Sequence, residues 1–294
     1  MNSHHLRVFL AVARQASFSR AAETLYLTQS AVSQQVEALE REHGVRLFER
    51  LPRRVALTDA GAALLPFAER VTQAIADAGH ALDEVRGVAR GRLRVVASPT
   101  PATYLLPALL GAFARAHPGV EVALEVEISA RVAERVAAGE ADLGVVESAI
   151  DAQRLTASVI AQDELLLITS PAFVAASPTV SATELVALRY IAREPRALAR
   201  RLVEARLQRL GIDWRPAMEL GNIEAIKRAV AAGLGAAFLS RYAVADEVAA
   251  GRLGAWRVTG LDLRRPWQLI QRAGAPPAPT AAAFAALLRE GAIA

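Results

Sequence analysis

The stretch FSRAAETLYLTQSAVSQQVEALEREHGVRLFER, residues 18–50, decides the architecture of the N-terminal part of the chain. It contains two helical patterns separated by a short break, and the second pattern is the longer one. We expect Ser19 to cap the first helix and Thr28 to cap the second, which Gly44 ends. Two short helices joined by a tight turn are typical of a helix-turn-helix unit, here placed at residues 18–37.

The second helix of this unit carries short or amide side chains on its outer face. Val32, Val36 and Leu39 recur at helical spacing on its inner face. A glutamine amide bonds adenine bidentately, and a serine hydroxyl bonds several bases in a major groove. The candidate base-reading residues are Gln29, Ser30, Ser33 and Gln34. A solvated helix surface has a similar composition, so this helix alone leaves both interpretations open.

A basic hairpin follows the helix pair. Residues 45–58, VRLFERLPRRVALT, form two strand-like runs around a turn, with Arg50, Arg53 and Arg54 near it. A basic hairpin beside a recognition helix is a winged arrangement, in which arginines neutralise phosphates or enter the minor groove. A cluster of charges is usually solvated surface, but the position of these arginines beside the helix pair favours the interpretation that they bind DNA. We therefore predict a winged helix-turn-helix, DNA-binding domain at residues 1–58.

A long helix with a narrow apolar stripe is expected next. Its apolar residues keep a 4-3 spacing for about three heptads: Leu64, Ala68, Val71, Ile75, Ala78, Leu82 and Val85. A small domain is not expected to bury so long and narrow a stripe by itself. We predict a linker and dimerisation helix at residues 59–90 that pairs with a second copy. Packing against the C-terminal domain of the same chain is the alternative.

The remaining two hundred or so residues alternate between strand and helix patterns, which indicates an α/β domain with a mainly parallel sheet. We expect two lobes within residues 91–294. Lobe I is predicted at residues 91–161 and 267–294, and lobe II at residues 162–266. Two such lobes leave a cleft for a small ligand.

Polar residues stand at strand-to-helix junctions of this domain, where free N–H groups attract anions. The candidate effector contacts of this kind are Ser98, Thr100, Ser129 and Asn222. Each also suits an ordinary helix N-cap, so capping is the alternative for any one of them. Together they predict a shared anion site.

Several classes of chemistry are excluded by composition. Cysteine is absent, which excludes disulfides, thiolate metal sites and cysteine nucleophiles. The five histidines show no metal-ligand spacing, and no phosphate loop or nucleophile elbow is present. The acidic pair Asp163-Glu164 is interpreted as turn surface, and Gly233-Leu234-Gly235 as a helix-ending turn. We therefore predict no metal, no cofactor and no enzymatic activity.

The predicted location of the protein is the cytoplasm. The N-terminus has no apolar region of the kind that follows the basic start of a secretory signal. The apolar stretch at residues 229–239 is about half as long as a membrane span requires. The net charge of +4 is a small excess that does not by itself indicate a nucleic-acid partner.

Residues 18–50, together with LTDAG at residues 57–61, resemble the N-terminal signature of LysR-type transcriptional regulators. The contiguous match extends over roughly residues 5–70, and the rest of the chain resembles the family's periplasmic-binding-protein-like effector domain. The stretches most similar to regulators of carbon-fixation and sulfur-assimilation operons are LLPALLGAFARAHPGVEV, GEADLGVVE and EAIKRAVAAGLGAAFLS.

This resemblance implies a homotetramer, a dimer of dimers, that binds double-stranded DNA near a promoter. It also implies that a small coinducer in the cleft controls recruitment of RNA polymerase. Carried onto this chain, base reading falls to Gln29, Ser30, Ser33 and Gln34, and backbone contact to Thr28, Arg50, Arg53 and Arg54. The coinducer would contact Ser98, Thr100, Ser129 and the region around Asn222.

One segment departs from the relatives. After residues 193–195, members of this subgroup often carry a hydroxyl-rich loop suited to an anion, whereas this chain reads RALAR at residues 196–200. Arg196 remains a candidate anion contact, but the family's ligand does not transfer and the effector stays unidentified. A solute-binding protein and an enzyme are the alternative functions. The helix-turn-helix disfavours the first, and the lack of an acid–base set disfavours the second.

Overall fold

The structure, a computed structural model, forms two compact units, Met1–Val88 and Ala89–Ala294. It describes residues 2–51, 54–86, 91–150, 154–175, 177–274 and 276–291. Within those ranges it describes every side chain except those of residues 50, 51, 54, 73, 76, 77 and 80–86.

The N-terminal unit is a winged helix-turn-helix followed by a long helix, as the sequence predicts. Three helices come first: α1 (Ser3–Gln15), α2 (Phe18–Leu25) and α3 (Gln29–His43). A hairpin and the long helix follow: β1 (Phe48–Leu51), β2 (Arg54–Leu57) and α4 (Asp59–Arg86). The inner faces of the three short helices share one core with Phe48 of the hairpin and Ala68 of α4.

Local capping sets the boundaries of α2 and α3. Thr28 Oγ1 accepts the backbone N–H three residues ahead at 3.2 Å, and Gly44 ends α3 at a φ of +67°, as predicted. The cap of α2 is Ser17, and our expectation of Ser19 was wrong. Ser17 has an extended backbone and accepts the N–H three residues ahead at 3.4 Å, whereas Ser19 already lies in the first turn.

The apolar stripe of α4 changes environment along the helix. Ala68 is fully buried and Leu64 is partly buried, both against the core of the N-terminal unit. Val71 and Ile75 expose 42% and 51% of their surface, and Ala78 is also exposed. The first two positions of the predicted seam are thus covered within the chain itself, and the exposed part of the stripe begins at Val71.

The C-terminal unit alternates helices and strands. Its first elements are β3 (Gly91–Ala97), α5 (Pro99–Tyr104), α6 (Leu106–Ala116), β4 (Val120–Val126), α7 (Ser129–Ala137) and β5 (Leu143–Val146). They are followed by β6 (Leu155–Thr169), β7 (Thr179–Val180), α8 (Ala182–Ala187), β8 (Tyr190–Ala192), α9 (Leu198–Arg209) and β9 (Pro216–Glu219). The last elements are α10 (Ile223–Ala231), β10 (Ala237–Ser240), α11 (Arg241–Ala249), β11 (Gly254–Val258), β12 (Arg264–Arg272) and α12 (Pro279–Gly291).

The main sheet of this unit is mixed, so the expectation of a mainly parallel sheet was wrong. Its strand order is β4-β3-β5-β12-β6-β11-β7, and β10 also pairs with β6. β3 runs parallel to β4 and β5, but β12, β10 and β11 all run antiparallel to β6. A short parallel pair, β8 and β9, lies outside this sheet. Sequence patterns identify strands but do not encode their direction.

Two lobes with separate cores make up the unit, and the long strands β6 and β12 join them. The core of lobe I contains Val96, Val132, Val136, Ala141, Val146 and Ile270. Lobe II has a core on each side of β10, because successive residues of a strand point to opposite faces. Phe238 lies in one core with Leu167, and Leu239 lies in the other with Ile168.

Among the residues that the structure describes, no helix is long and apolar enough to cross a membrane. The same part of the chain contains no group of three or more His, Asp or Glu side chains placed to hold a metal ion.

Candidate nucleic-acid interface and ligand cleft

Helix α3 presents a polar face on the side opposite the core. Of the predicted base-reading residues, Gln29, Ser30 and Gln34 are exposed and Ser33 is half-buried. Gln29 Nε2 donates to Ser33 Oγ at 3.3 Å, and the hydroxyls of Thr28 and Ser30 lie 3.0 Å apart. These contacts order the first turn of the helix, which is the part that contacts base edges in helix-turn-helix proteins.

The hairpin lies in the position of a wing. Leu51 and Arg54 pair across β1 and β2, at the ends of the two strands. Arg53 lies outside the described residues, as do the side chains of Arg50 and Arg54. The backbone places Arg50 on β1 and Arg54 on β2, and their contact with phosphates stays a prediction.

Glu40 connects the recognition helix to the wing, a connection that sequence analysis missed. Its Oε1 accepts the backbone N–H of Leu47 at 2.7 Å and that of Phe48 at 3.3 Å. The ring of Phe48 then packs against Phe9 and Phe18, with centroid distances of 5.3 and 5.7 Å. The hairpin is thus fixed to α3 by hydrogen bonds and to α1 and α2 by aromatic packing.

Five buried polar residues form a network between the two lobes. Thr100 Oγ1, at the start of α5, donates to Glu147 Oε2 at 2.9 Å. Arg265 Nη2 lies 2.7 Å from the same oxygen and 2.8 Å from Asp163 Oδ2. Ser240, the N-cap of α11, donates to Asp163 Oδ1 at 2.7 Å. The network therefore connects the N-terminal end of α5 to that of α11, and each buried charge in it has a partner.

The interpretation of Asp163-Glu164 as turn surface was wrong. Asp163 is fully buried within β6, and its main partner, Arg265, lies 102 residues away in the sequence. Glu164 accepts two hydrogen bonds from the Arg257 guanidinium, at 2.8 and 2.7 Å. Those bonds lower the pKa of Glu164, although burial acts in the opposite direction.

Two buried donors beside this network are unsatisfied. Arg265 Nη1 and Trp267 Nε1 have no hydrogen-bond partner among the described residues. They are two positions apart on β12 and therefore belong to the same face of the strand. The Trp267 ring stacks on Tyr242 of α11, with centroids 4.5 Å apart. Because both unsatisfied groups only donate, the partner that would satisfy them is an acceptor.

The predicted effector residues have different environments. Ser98 is buried and its Oγ donates to a backbone carbonyl of β5, and Thr100 belongs to the buried network. Asn222 caps α10 by accepting two N–H groups at 2.8 and 3.2 Å. Ser129 is the first residue of α7, one position after the cap, and Arg196 is exposed before α9. The described contacts join only Thr100 to the network.

The second arginine of the RALAR segment binds neighbouring groups of its own lobe. Arg200 donates to Glu204 and Glu219, both at 2.7 Å, and to the carbonyl oxygen of Arg193 at 2.6 Å. These bonds hold the start of α9 against β9. Arg196 is therefore the residue of this segment that is exposed to a ligand in solution.

Comparison with known protein families matches both units of the chain. A family model described as "Bacterial regulatory helix-turn-helix protein, lysR family" matches residues 3–62. A second model, described as "LysR substrate binding domain", matches residues 86–293.

Individual proteins are similar over most of the chain. The probable RuBisCO transcriptional regulator of Cyanophora paradoxa is 36% identical over 272 residues, which cover 90% of this chain and 84% of that relative. The structure of full-length CbnR complexed with its target DNA is 26% identical, covers 99% of this chain and 100% of its own, and has a TM-score of 0.61. The regulatory domain of Synechocystis PCC6803 CcmR in complex with 2-PG is 29% identical, covers 69% and 98%, and has a TM-score of 0.62.

Proposed function

Because the chain belongs to the LysR family of bacterial transcriptional regulators, we propose that it binds promoter DNA in the cytoplasm. We propose that this binding is controlled by a small metabolite that carries hydrogen-bond acceptors. The family comprises regulators with an effector-binding domain, not enzymes. The exposed polar face of α3 beside the arginine-bearing hairpin carries the DNA part of the proposal. In this proposal the bases are read by Gln29, Ser30, Ser33 and Gln34. The phosphates are contacted by Thr28, Arg50, Arg53 and Arg54.

Footprinting of the full chain on its host's genomic DNA tests the DNA proposal and defines the binding sites. Gln29→Ala should then weaken binding to such a site by about 1–3 kcal/mol and change binding to random DNA little. Gln208→Ala, which alters an exposed glutamine on α9, is the matched control and should change neither. Equal losses on specific and random DNA would exclude base reading by Gln29.

We infer the chemistry of the effector from the two unsatisfied donors, Arg265 Nη1 and Trp267 Nε1. A carboxylate or phosphate oxygen supplies the acceptors that these groups lack. Further candidate effector contacts are those expected from the sequence, Ser98, Thr100, Ser129, Arg196 and Asn222, of which Thr100 belongs to the network beside these donors. CcmR was solved with 2-PG, and 2-PG is therefore the first probe for this chain.

Calorimetric titration of the full chain with 2-PG tests the effector proposal. Trp267→Phe removes the donor but keeps a ring beside Tyr242, and it should weaken binding by roughly tenfold. Trp256→Phe is the matched control, because its Nε1 donates within lobe II to Thr169 at 3.0 Å. Unchanged binding by Trp267→Phe would remove Trp267 from the site. Failure of the unaltered chain to bind would reject 2-PG.

We also propose that α4 pairs two chains, that two such dimers form a tetramer, and that the DNA-bound assembly recruits RNA polymerase. The exposed stripe at Val71 and Ile75 supports the pairing, while the side chains of Leu82 and Val85 lie outside the described residues. Ile75→Asp should yield smaller species in sedimentation, because it places a charge in an apolar seam. Ala63→Asp, exposed on α4 away from the stripe, is the control.

Recruitment of RNA polymerase is tested separately, by footprinting the polymerase on the promoter with and without the protein.

A further inference from the structure

Tyr104, the last residue of α5 in lobe I, reaches into lobe II. Its ring packs against the lobe II core that contains Ile226 and Val230 of α10. Its hydroxyl donates to Glu224 Oε1, in the first turn of α10, at 2.9 Å. The two residues are 120 positions apart. A side chain of one lobe is thus both packed and hydrogen-bonded within the other.

Lys227 holds the acceptor of this hydrogen bond in place. It is the only lysine in the sequence, and 6% of its surface is exposed. Its ammonium group lies 2.7 Å from Glu224 Oε1, 2.8 Å from Glu247 Oε1 and 3.0 Å from the carbonyl oxygen of Ala243. These three acceptors use all three N–H donors of the ammonium. Its Nζ also lies 5.6 Å from the centre of the Tyr104 ring.

Two carboxylates, those of Glu224 and Glu247, stabilise the ammonium charge of Lys227. Burial lowers the pKa of Lys227, but the carboxylates of Glu224 and Glu247 outweigh it and raise the pKa overall. A buried ammonium that loses a partner is strongly destabilised, so Glu224 is fixed from within lobe II. The same oxygen, Glu224 Oε1, therefore accepts from Lys227 within lobe II and from Tyr104 of lobe I.

We propose that the Tyr104–Glu224 hydrogen bond is a latch that keeps the two lobes closed, with Lys227 as the positioning residue. Thr100 lies four positions before Tyr104 on the same short helix and contacts the buried network between the lobes. A ligand that displaces Thr100 would therefore move Tyr104 as well, which couples occupancy of the cleft to closure. The coupling rests on the proposed effector site, whereas the latch does not.

The separation of the lobes can be measured directly in the full chain. Because the sequence has no cysteine, Ala114→Cys on α6 and Ala205→Cys on α9 can be spin-labelled specifically. Pulsed electron paramagnetic resonance then measures the distance between the two labels. Labelled chains are diluted into unlabelled ones, so that the two labels of each measured pair lie on the same chain. Tyr104→Phe removes only the hydroxyl. The population with a long distance between the labels should rise roughly tenfold relative to the population with a short distance, as expected for the loss of one hydrogen bond to a charged group. This measurement uses neither DNA nor effector. A negative result for the latch is therefore distinguishable from failure of the proposed function.

Three further variants separate a latch from a general loss of stability. Thr179→Val deletes the 2.9 Å hydrogen bond between Thr179 and Thr259 within lobe II and should leave the distances unchanged. Glu224→Ala should raise the long-distance ratio as Tyr104→Phe does, and the double variant should add less than about twofold. Lys227→Met should shift the ratio in the same direction. Distances unchanged in Tyr104→Phe, or fully additive effects in the double variant, would overturn the latch.

Discussion

Leu47, at the entrance to the wing, donates its backbone N–H to the carboxylate of Glu40 on the recognition helix at 2.7 Å. Phe48 donates to the same oxygen at 3.3 Å. Helix α3, which we propose reads the bases, and the hairpin, which we propose contacts the phosphates, are therefore held in a fixed relation to each other. Because both are proposed to engage one duplex, we expect this connection to affect DNA binding as well as folding.

Glu40→Ala should destabilise the N-terminal unit and weaken DNA binding together. It leaves two partly buried N–H groups without an acceptor, at a cost of about 1–3 kcal/mol. Chemical unfolding and DNA titration of the full chain measure the two effects. Glu23→Ala, at an exposed position of α2, is the control and should change stability by less than about 0.5 kcal/mol. Unaltered DNA affinity in Glu40→Ala would show that the wing keeps its position without this contact.

Two glycines of α4 should respond in opposite ways to alanine. A Cβ on Gly61 would collide with the carbonyl oxygen of Leu47 and come within 2.8 Å of Leu57, whereas a Cβ on Gly79 meets no atom within 4 Å. Gly61→Ala should therefore destabilise the N-terminal unit by about 1–3 kcal/mol, since backbone must move. Gly79→Ala should stabilise the helix by roughly 0.5–1 kcal/mol. Thermal unfolding of both variants provides the comparison, and equal shifts in one direction would contradict the close approach of α4 to the wing.

Asp163 should be one of the most sensitive positions of the C-terminal unit. Asp163→Ala leaves the Arg265 charge with one carboxylate instead of two and removes the acceptor of Ser240, at a cost of about 3–5 kcal/mol. Asp213→Ala is the matched control, because the Asp213–Arg215 pair is exposed and should contribute little. Urea unfolding separates the two outcomes. A small effect at Asp163 would mean that Glu147 alone satisfies Arg265.

Sequence analysis succeeded where local interactions determine structure. The Thr28 cap and the Gly44 stop depend on neighbours within one turn, and both are confirmed. The interlobe network was missed because Asp163 and Arg265 are 102 residues apart, and an acidic pair has the same appearance in a turn as in a buried strand. Helix α11, whose N-cap Ser240 belongs to this network, was also missed, because its sequence RYAVADEVA has no apolar stripe.

The stripe on α4 shows a different limit. An apolar spacing indicates that a face is buried, but it does not specify what covers it. Leu64 and Ala68 pack on the chain's own core, whereas Val71 and Ile75 on the same stripe are exposed. A change from a buried to an exposed environment halfway along a helix leaves no mark on a regular heptad pattern, so it becomes visible only in the structure of the N-terminal core.

The C-terminal unit should lose stability in acid partly through Glu164. Hydrogen bonds from Arg257 lower the pKa of Glu164 from its ordinary value of 4.5 in the folded state, despite burial. The unfolded chain therefore takes up a proton on Glu164 first as the pH falls. This contribution to stability is complete above about pH 4.5 and is lost as the pH falls through the lower, folded pKa.

Glu164→Gln should flatten that part of the stability–pH curve, measured by urea unfolding between pH 7 and pH 3 at roughly half-unit steps. Arg257→Gln removes the largest cause of the shift and should flatten most of the same part of the curve, and the double variant should add little to Glu164→Gln. A flattened curve for Glu164→Gln alone, with Arg257→Gln unchanged, would assign the shift to other neighbours of Glu164.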